Sequence, residues 1–262
     1  MTNKGTTALI TGASAGIGRE LARLAARDGH NLVLVARRRD RLEELAGELT
    51  GAHSVAVTVI AADLGDPASP QSIAESVRSA GIDVDFLVNN AGFGSRGPFG
   101  QTDPARQLEM IDVNVRALVE MTRLFLPGML ARKRGRILNI ASIAGFVPGP
   151  FMATYYASKA FVLSFTEALA AELRGSGVTA TASCPGPTAT EFGAVANSDR
   201  TNLFRRGVAN APSVAGHAYR AMLAGKVVAI PGLMNKLIVQ SVRISPRALL
   251  RSIAAGLNSG RE

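Results

Sequence analysis

Tyr155 and Lys159 lie four residues apart in the run Tyr155-Tyr156-Ala157-Ser158-Lys159, and Ser142 stands upstream of them. On a helix that spacing puts a phenol and an ammonium on one face, a turn apart. A phenol ordinarily loses its proton near pH ~10. A fixed cation beside it favours the phenolate and lowers that value. A phenol tuned in this way can give a proton to, or take one from, a substrate oxygen. Ser142, on the far side of the expected site, can hydrogen-bond the same oxygen. Taken alone, the pair reads equally well as an exposed helical contact, so the elements around it must decide.

The first of those elements is a short apolar run, Thr7 to Thr11, leading into Thr11-Gly12-Ala13-Ser14-Ala15-Gly16-Ile17-Gly18. A helix follows, with Ile17, Leu21, Leu24 and Ala25 on one face. Strand, glycine turn and helix bring backbone N–H groups and a helix N-terminus to one point, which suits an anion. The glycines of this G-x-x-x-G-x-G turn let the backbone approach a pyrophosphate closely. Asn31 to Ala36 is a second strand. Where a dinucleotide fold often places an acid for the ribose 2′-hydroxyl, this chain has Ala36 followed by Arg37, Arg38 and Arg39. A guanidinium binds a phosphate bidentately, so Arg37 points to NADP rather than NAD.

Further strands are expected at Val55–Ala61, closed by Asp63-Leu64, at Val84–Val88, ending in Asn89-Asn90-Ala91-Gly92, and at Arg136–Ala141, ending at Ser142. Val178–Cys184 runs into Pro185-Gly186-Pro187-Thr188-Ala189-Thr190, and Val227–Ile230 is a seventh strand. Helices are expected over about Pro70–Ala80, from Asp103 with Pro104 at its first turn, and over about Thr154–Arg174. Small and amide residues at Asn90, Ala91 and Gly92 suit a wall against a planar ligand and a structural hydrogen-bond cluster equally. Asn114 interrupts the apolar stripe of the long helix, where an amide needs a partner or a task. Strands alternating with helices predict an α/β fold, a doubly wound, mostly parallel seven-stranded sheet of Rossmann type. Gly12, Ala36, Asp63, Asn90, Ser142 and Pro185 then all follow carboxyl ends of strands, the edge where such sheets bind ligands.

The composition is that of one core-burying globular domain. Residues 1–231 read as the dinucleotide-binding and catalytic part, with a lid at about 189–211, and 232–262 as a helical extension of the same domain. Cys184 is the only cysteine and reads as a buried strand thiol. His30, His53 and His217 are scattered, so no metal site is expected. The N-terminal stretch lacks a signal-peptide core, and no apolar run reaches the ~18 residues of a membrane span. A cytoplasmic protein is therefore expected. The net charge of +9 is unusual, but no nucleic-acid motif accompanies it. In the C-terminal part, Leu233, Leu237, Ile244, Leu250 and Ile253 alternate with Lys236, Arg243, Arg247 and Arg251, and Pro246 divides two helices. Such a basic amphipathic pair can lie on an anionic membrane, cap a pocket or pack between subunits. Packing and dimerisation are the favoured reading.

Together these residues resemble the short-chain dehydrogenase/reductase family, over nearly the whole chain up to Ile230. The Ser142-to-Tyr155 interval is also usual there. The resemblance implies that Tyr155 is the proton donor in reduction and the base in oxidation. It implies that Lys159 lowers the Tyr155 pKa and holds the nicotinamide ribose, that Ser142 orients the substrate oxygen, and that Asn114 supports a water linking Lys159 to solvent. Gly12, Ser14, Gly16, Ile17 and Gly18 would hold the cofactor phosphates, with Ser14 and Arg37 toward the 2′-phosphate. Asp63 and Leu64 would contact the adenine and Asn90 the adenine-side ribose. Ala91, Gly92, Pro185 and Gly186 would line the cofactor site, with Thr188 and Thr190 at the nicotinamide and phosphates. The implied activity is NADPH-dependent carbonyl reduction or alcohol oxidation by a homodimer or homotetramer. Phe93, Phe99, Phe146, Val147, Phe151 and Phe192, on loops beside the motifs, suit an apolar ketone or aldehyde pocket and, equally for any one of them, the packing of the loops themselves. The competing readings are an NADP-sensing regulator without turnover and a nucleotide-sugar epimerase or dehydratase.

Overall fold

In the computed structural model, which describes residues 5–198, 201–202 and 208–259, Thr7–Thr11 forms the first strand (β1) and is buried along its whole length. Gly12 and Gly16 follow with φ of +66° and +54°, the left-handed region that favours glycine. The chain then enters α1 (Gly16–Arg27), β2 (Asn31–Ala36), α2 (Arg39–His53), β3 (Val57–Ala61), α3 (Ser69–Ser79) and β4 (Phe86–Asn89). Both β3 and β4 begin two residues later than expected.

The long helix expected from Asp103 is three pieces. Asp103 accepts a hydrogen bond from the Ala105 N–H and Pro104 occupies the first turn of α4 (Pro104–Ile111), a local start written in the sequence. A π-helical turn over Asp112–Arg116 holds Asn114, and α5 (Ala117–Ala131) continues. Such bulges are common at functional sites. Here the bulge lets the Asn114 amide leave the helix and reach Phe93 and Ser158. Next come β5 (Gly135–Ile140), a 3-10 turn over Ile143–Phe146, α6 (Ala153–Glu172) and β6 (Val178–Ser183). The short β7 (Thr188–Ala189), α7 (Phe192–Val195) and β8 (Ala209–Asn210) occupy the lid region. Residues 199–200 and 203–207 of that lid lie outside the described residues. The chain closes with α8 (Ala211–Leu223), β9 (Val228–Ala229), α9 (Leu233–Val242) and α10 (Arg247–Asn258).

Seven strands pair in the order β3-β2-β1-β4-β5-β6-β9, and every pair is parallel. This is the doubly wound, Rossmann-like sheet that the alternation predicted. Helices cover both faces, so the strands are apolar on both sides. Leu32 and Leu34 of β2 face a cluster with Leu21, Leu42 and Tyr219. Val33 and Val35 face the opposite cluster with Met121, Ile137 and Leu169. The winding reverses between β1 and β4, and the crevice at their carboxyl ends is where such a sheet accepts a ligand.

Candidate active site

A cleft of about 740 Å³ runs along that edge. At one end lie Ser14, Arg37, Arg38 and Asp63, and at the other Ser142, Tyr155 and Lys159. Its size suits a cofactor together with an organic substrate.

The glycine turn is held rigidly. The Asn90 Nδ2 donates to the Thr11 carbonyl at 3.0 Å and the Gly12 carbonyl at 3.1 Å. The Thr11 hydroxyl accepts from the Asn90 and Ala91 N–H groups. A Cβ on Gly12 would stand 2.7 Å from Asn90 Nδ2, one on Gly16 2.9 Å from Thr190 Cγ2, and one on Gly18 would strike the Gly12 carbonyl. The turn thus tolerates only glycine there, and no side chain caps the N-terminus of α1. Free N–H groups of a helix start, backbone that can be approached closely, and arginines at the far end suit a phosphorylated dinucleotide. Asn90 was expected at a ribose. It lines the cleft, and its Nδ2 braces the turn.

The end of the cleft beside β2 and β3 brings Arg37, Asp63 and Glu109 together. The Arg37 Nη1 is 3.8 Å from Asp63 and 3.7 Å from Glu109, all exposed enough for solvent to weaken the pairing. Arg38, which the sequence did not single out, is the arginine that meets Ser14: its Nη2 donates to the Ser14 hydroxyl at 3.2 Å and to Glu191 at 2.7 Å. This hydrogen bond to Arg38 holds the Glu191 carboxyl below the usual carboxylate range. Adjacent arginines at a strand end carried the signal, but that Arg38 is the one to meet Ser14 goes with its bond to Glu191, far away in sequence.

At the other end, α6 carries Tyr155 and Lys159 on one face as the spacing required. Ser142 caps the 3-10 turn after β5 by accepting from the Ala144 N–H at 3.1 Å, and donates to the Pro185 carbonyl at 3.3 Å. The Lys159 Nζ donates to the Ile140 carbonyl at 2.7 Å and lies 5.8 Å from the Tyr155 ring centroid. The Asn114 Oδ1 accepts from the Phe93 N–H, and its Nδ2 donates to the Phe93 carbonyl and to Ser158, each at 3.0 Å. A Cβ on Gly92 would press on Asn114 Oδ1 at 2.9 Å and approach Lys159 Nζ at 3.5 Å. Below these groups the Asn89 amide donates to Thr122 and Asn139, and Asn139 donates to Thr166. This buried ladder ties β4, α5, β5 and α6 into one platform.

The charge balance differs from the expectation. Burial raises the Tyr155 phenol above its ordinary value, and hydrogen bonding with Ser142 opposes that rise. Burial pulls Lys159 down to about 8. The Lys159 ammonium is directed to the Ile140 carbonyl, so burial has the larger influence on the phenol in this arrangement. Desolvation therefore outweighs the cation.

The substrate end is walled by Phe93, Phe146, Val147 and Phe192, with the Phe192 ring 5.2 Å from that of Tyr155. Phe99 and Phe151 were expected there as well. They lie outside the cleft, 67% and 40% exposed, Phe99 at the start of a 3-10 turn and Phe151 in the turn before α6. The sequence reading did not single out Met152, Val242 or Leu257, and it gave capping of a pocket only as one alternative for the segment of Leu250 and Ile253; all of these line the cleft. The i, i+3, i+4 apolar spacing of that segment marked a buried face without saying what it faces. Thr190 touches the glycine turn, and Thr188 lies at the cleft with its hydroxyl donating to the Gly186 carbonyl at 2.9 Å. Leu64, Ile17 and Pro185 also line the cleft.

Fold and site together define a protein of the dehydrogenase class. The family profile described as short chain dehydrogenase matches residues 6–201, and the chain belongs to that family. It is 40% identical over 181 residues to a very-long-chain 3-oxoacyl-CoA reductase of Pyrenophora tritici-repentis, covering 67% of this chain and 52% of that protein. A protein described in the same words from Anas platyrhynchos is 38% identical over 180 residues, covering 66% and 57%. The chain thus spans about half the length of these curated relatives. Among solved structures, a short-chain dehydrogenase from Sphingobium yanoikuyae in complex with NADPH is 34% identical, with 93% of this chain and 94% of that one covered at a TM-score of 0.83. A bulky-bulky ketone specific alcohol dehydrogenase from Comamonas testosteroni is 31% identical, with 92% and 95% covered at 0.77.

Proposed function

We propose that this protein is an NADPH-dependent reductase of apolar ketones, with 3-oxoacyl thioesters within its substrate class. The observation that carries the reading is the convergence of Ser142, Tyr155 and Lys159 at the end of a cleft whose remaining walls are apolar. Gly12, Gly16 and Ile17 would hold the pyrophosphate, Arg37 and Arg38 the 2′-phosphate, and Lys159 the nicotinamide ribose. The bound nicotinamide supplies the hydride.

The protein's own work is orientation and the proton. The Ser142 hydroxyl, fixed between the Ala144 N–H and the Pro185 carbonyl, offers the ketone oxygen a hydrogen-bond partner. The Tyr155 hydroxyl, kept protonated by burial, donates its proton to that oxygen as negative charge develops on it. The neighbouring Lys159 ammonium stabilises the phenolate left behind. Asn114 holds Phe93 and Ser158, and thereby the floor beside Lys159. Phe192 packs on Tyr155 and adds an apolar wall beside its hydroxyl.

Loss of NADPH absorbance, followed with bulky aryl ketones, long-chain 3-oxoacyl thioesters and hydrophilic ketoses, tests this reading. Turnover is expected with the first two groups and little with the third. Tight NADPH binding with no oxidation by any of them would instead make the protein a sensor. Two relatives described as 3-oxoacyl-CoA reductases and a neighbour described as bulky-ketone specific support the choice of panel.

A further inference from the structure

Residues 208–259 contain six Lys or Arg and no Asp or Glu. The same segment leaves its largest apolar side chains in water. Leu233, Met234, Leu237 and Ile244 are 73%, 69%, 56% and 87% exposed. Leu233, Leu237 and Ile244 follow one another at helical spacing, so they form one stripe along α9 and its end. Lys236 and Arg243 are exposed and, by the same spacing, run along one edge of that stripe. The inner sides of the two helices are spoken for: Val239 and Ala254 are buried, and Val242, Leu250 and Leu257 line the cleft. Ile253 both lines the cleft and is 51% exposed, so the apolar surface adjoins the mouth of the site.

An outward apolar stripe with cations along one edge, on a helix too short to span a bilayer, is the pattern of a segment that lies in a lipid interface. Among the described residues, none of Lys226, Lys236, Arg243, Arg247 and Arg251 forms an ion pair within the chain. A second copy of the chain fits this face poorly. A two-fold contact brings the same patch from both sides, and here that sets cations against cations with no acid from residues 208–259 between them. An anionic surface supplies the missing charge. We propose that the α9–α10 face docks this protein on an anionic lipid surface, with the mouth of the cleft turned toward the acyl layer. The inference goes beyond the reductase reading and does not depend on it.

Co-sedimentation of the full chain with vesicles tests it, using phosphatidylcholine alone and phosphatidylcholine mixed with phosphatidylserine. Binding is expected to be about tenfold or more stronger to the mixed vesicles, since each juxtamembrane cation contributes, and to weaken as salt screens it. Leu233→Ser/Leu237→Ser/Ile244→Ser should lower binding to both compositions about tenfold, while thermal unfolding and NADPH affinity stay as in the parent. Lys236→Glu/Arg243→Glu should erase the preference for the anionic vesicles, and serves alone if the triple variant folds poorly. A parent protein that stays in the supernatant with both compositions overturns the proposal. So does a triple variant that binds like the parent. Failure to bind vesicles, together with a solution dimer that the triple variant dissociates, would assign the face to a second copy of the chain instead.

Discussion

The Tyr156 hydroxyl donates to the Asn258 side-chain oxygen at 3.0 Å in a buried contact, so the helix that carries the acid–base pair is tied to the end of the last helix. The Asn258 Nδ2 donates in turn to the Pro150 carbonyl at 3.0 Å. The Tyr156 ring lies so close to Gly149 that a Cβ there would strike it. Three segments distant in sequence therefore meet beside the substrate end. Tyr156 is thus held by packing and a hydrogen bond, and a role distinct from that of its neighbour Tyr155 is expected.

Asn258→Ala should accordingly lower stability by about 1–3 kcal/mol, the cost of leaving buried polar partners unpaired. It should raise KM for ketones while the affinity for NADPH is unchanged. Tyr156→Phe should do less and keep kcat within a few-fold of the parent. Melting curves and steady-state kinetics with saturating cofactor check both. A collapse of kcat in Tyr156→Phe with KM untouched would show that the roles of the two tyrosines have been assigned the wrong way round.

Tyr155→Phe should leave NADPH binding intact and reduce turnover by roughly 10²–10⁴-fold, the usual contribution of a positioned acid. Fluorescence titration with NADPH and single-turnover assays separate the two effects. Loss of cofactor affinity equal to the loss of rate would remove Tyr155 from the proton-transfer role.

Lys159 is buried, and its pKa is lowered to about 8, below its ordinary value of about 10.4. In this pH range the unfolded chain binds more protons than the folded one. The stability penalty is therefore fully present below pH about 8 and fades as pH rises toward the ordinary lysine value. Lys159→Met removes it. The variant should be more stable than the parent at neutral pH by up to roughly 3 kcal/mol, less whatever the lost bond to Ile140 contributes, and the two should converge at alkaline pH. Turnover should be lost throughout. Thermal melts across the pH range check the sign. A variant less stable at neutral pH would mean that the Ile140 bond outweighs desolvation.

Glu191 and a 2′-phosphate would compete for Arg38, whose Nη2 is 2.7 Å from the carboxylate. Glu191→Gln should tighten NADPH binding severalfold and leave NADH unaffected. Arg38→Ala and Arg37→Asp should each raise KM for NADPH at least about tenfold more than for NADH, since a charge-assisted bond contributes ~1.5–3 kcal/mol. Paired kinetics with the two cofactors decide it. Equal effects on both would place these arginines away from the 2′-phosphate.

Local patterning determined much of this protein. The glycine turn, the Asp103-Pro104 helix start, the strand runs and the Tyr155–Lys159 spacing each depend on residues a few positions apart, so backbone sterics and periodicity express them directly. From these the parallel sheet and the edge that carries the site followed. Only the tertiary structure decided the rest. Arg38 meets Ser14 and at the same time bonds Glu191. Asn114 sits in a π turn because Phe93 and Ser158 claim its amide. The Tyr155 phenol is raised because the loops and α6 bury it. Val242, Leu250 and Leu257 close the cleft because the last two helices fold back over it. Each of these depends on desolvation or contact between segments distant in the chain, and no local pattern of residues encodes such distances.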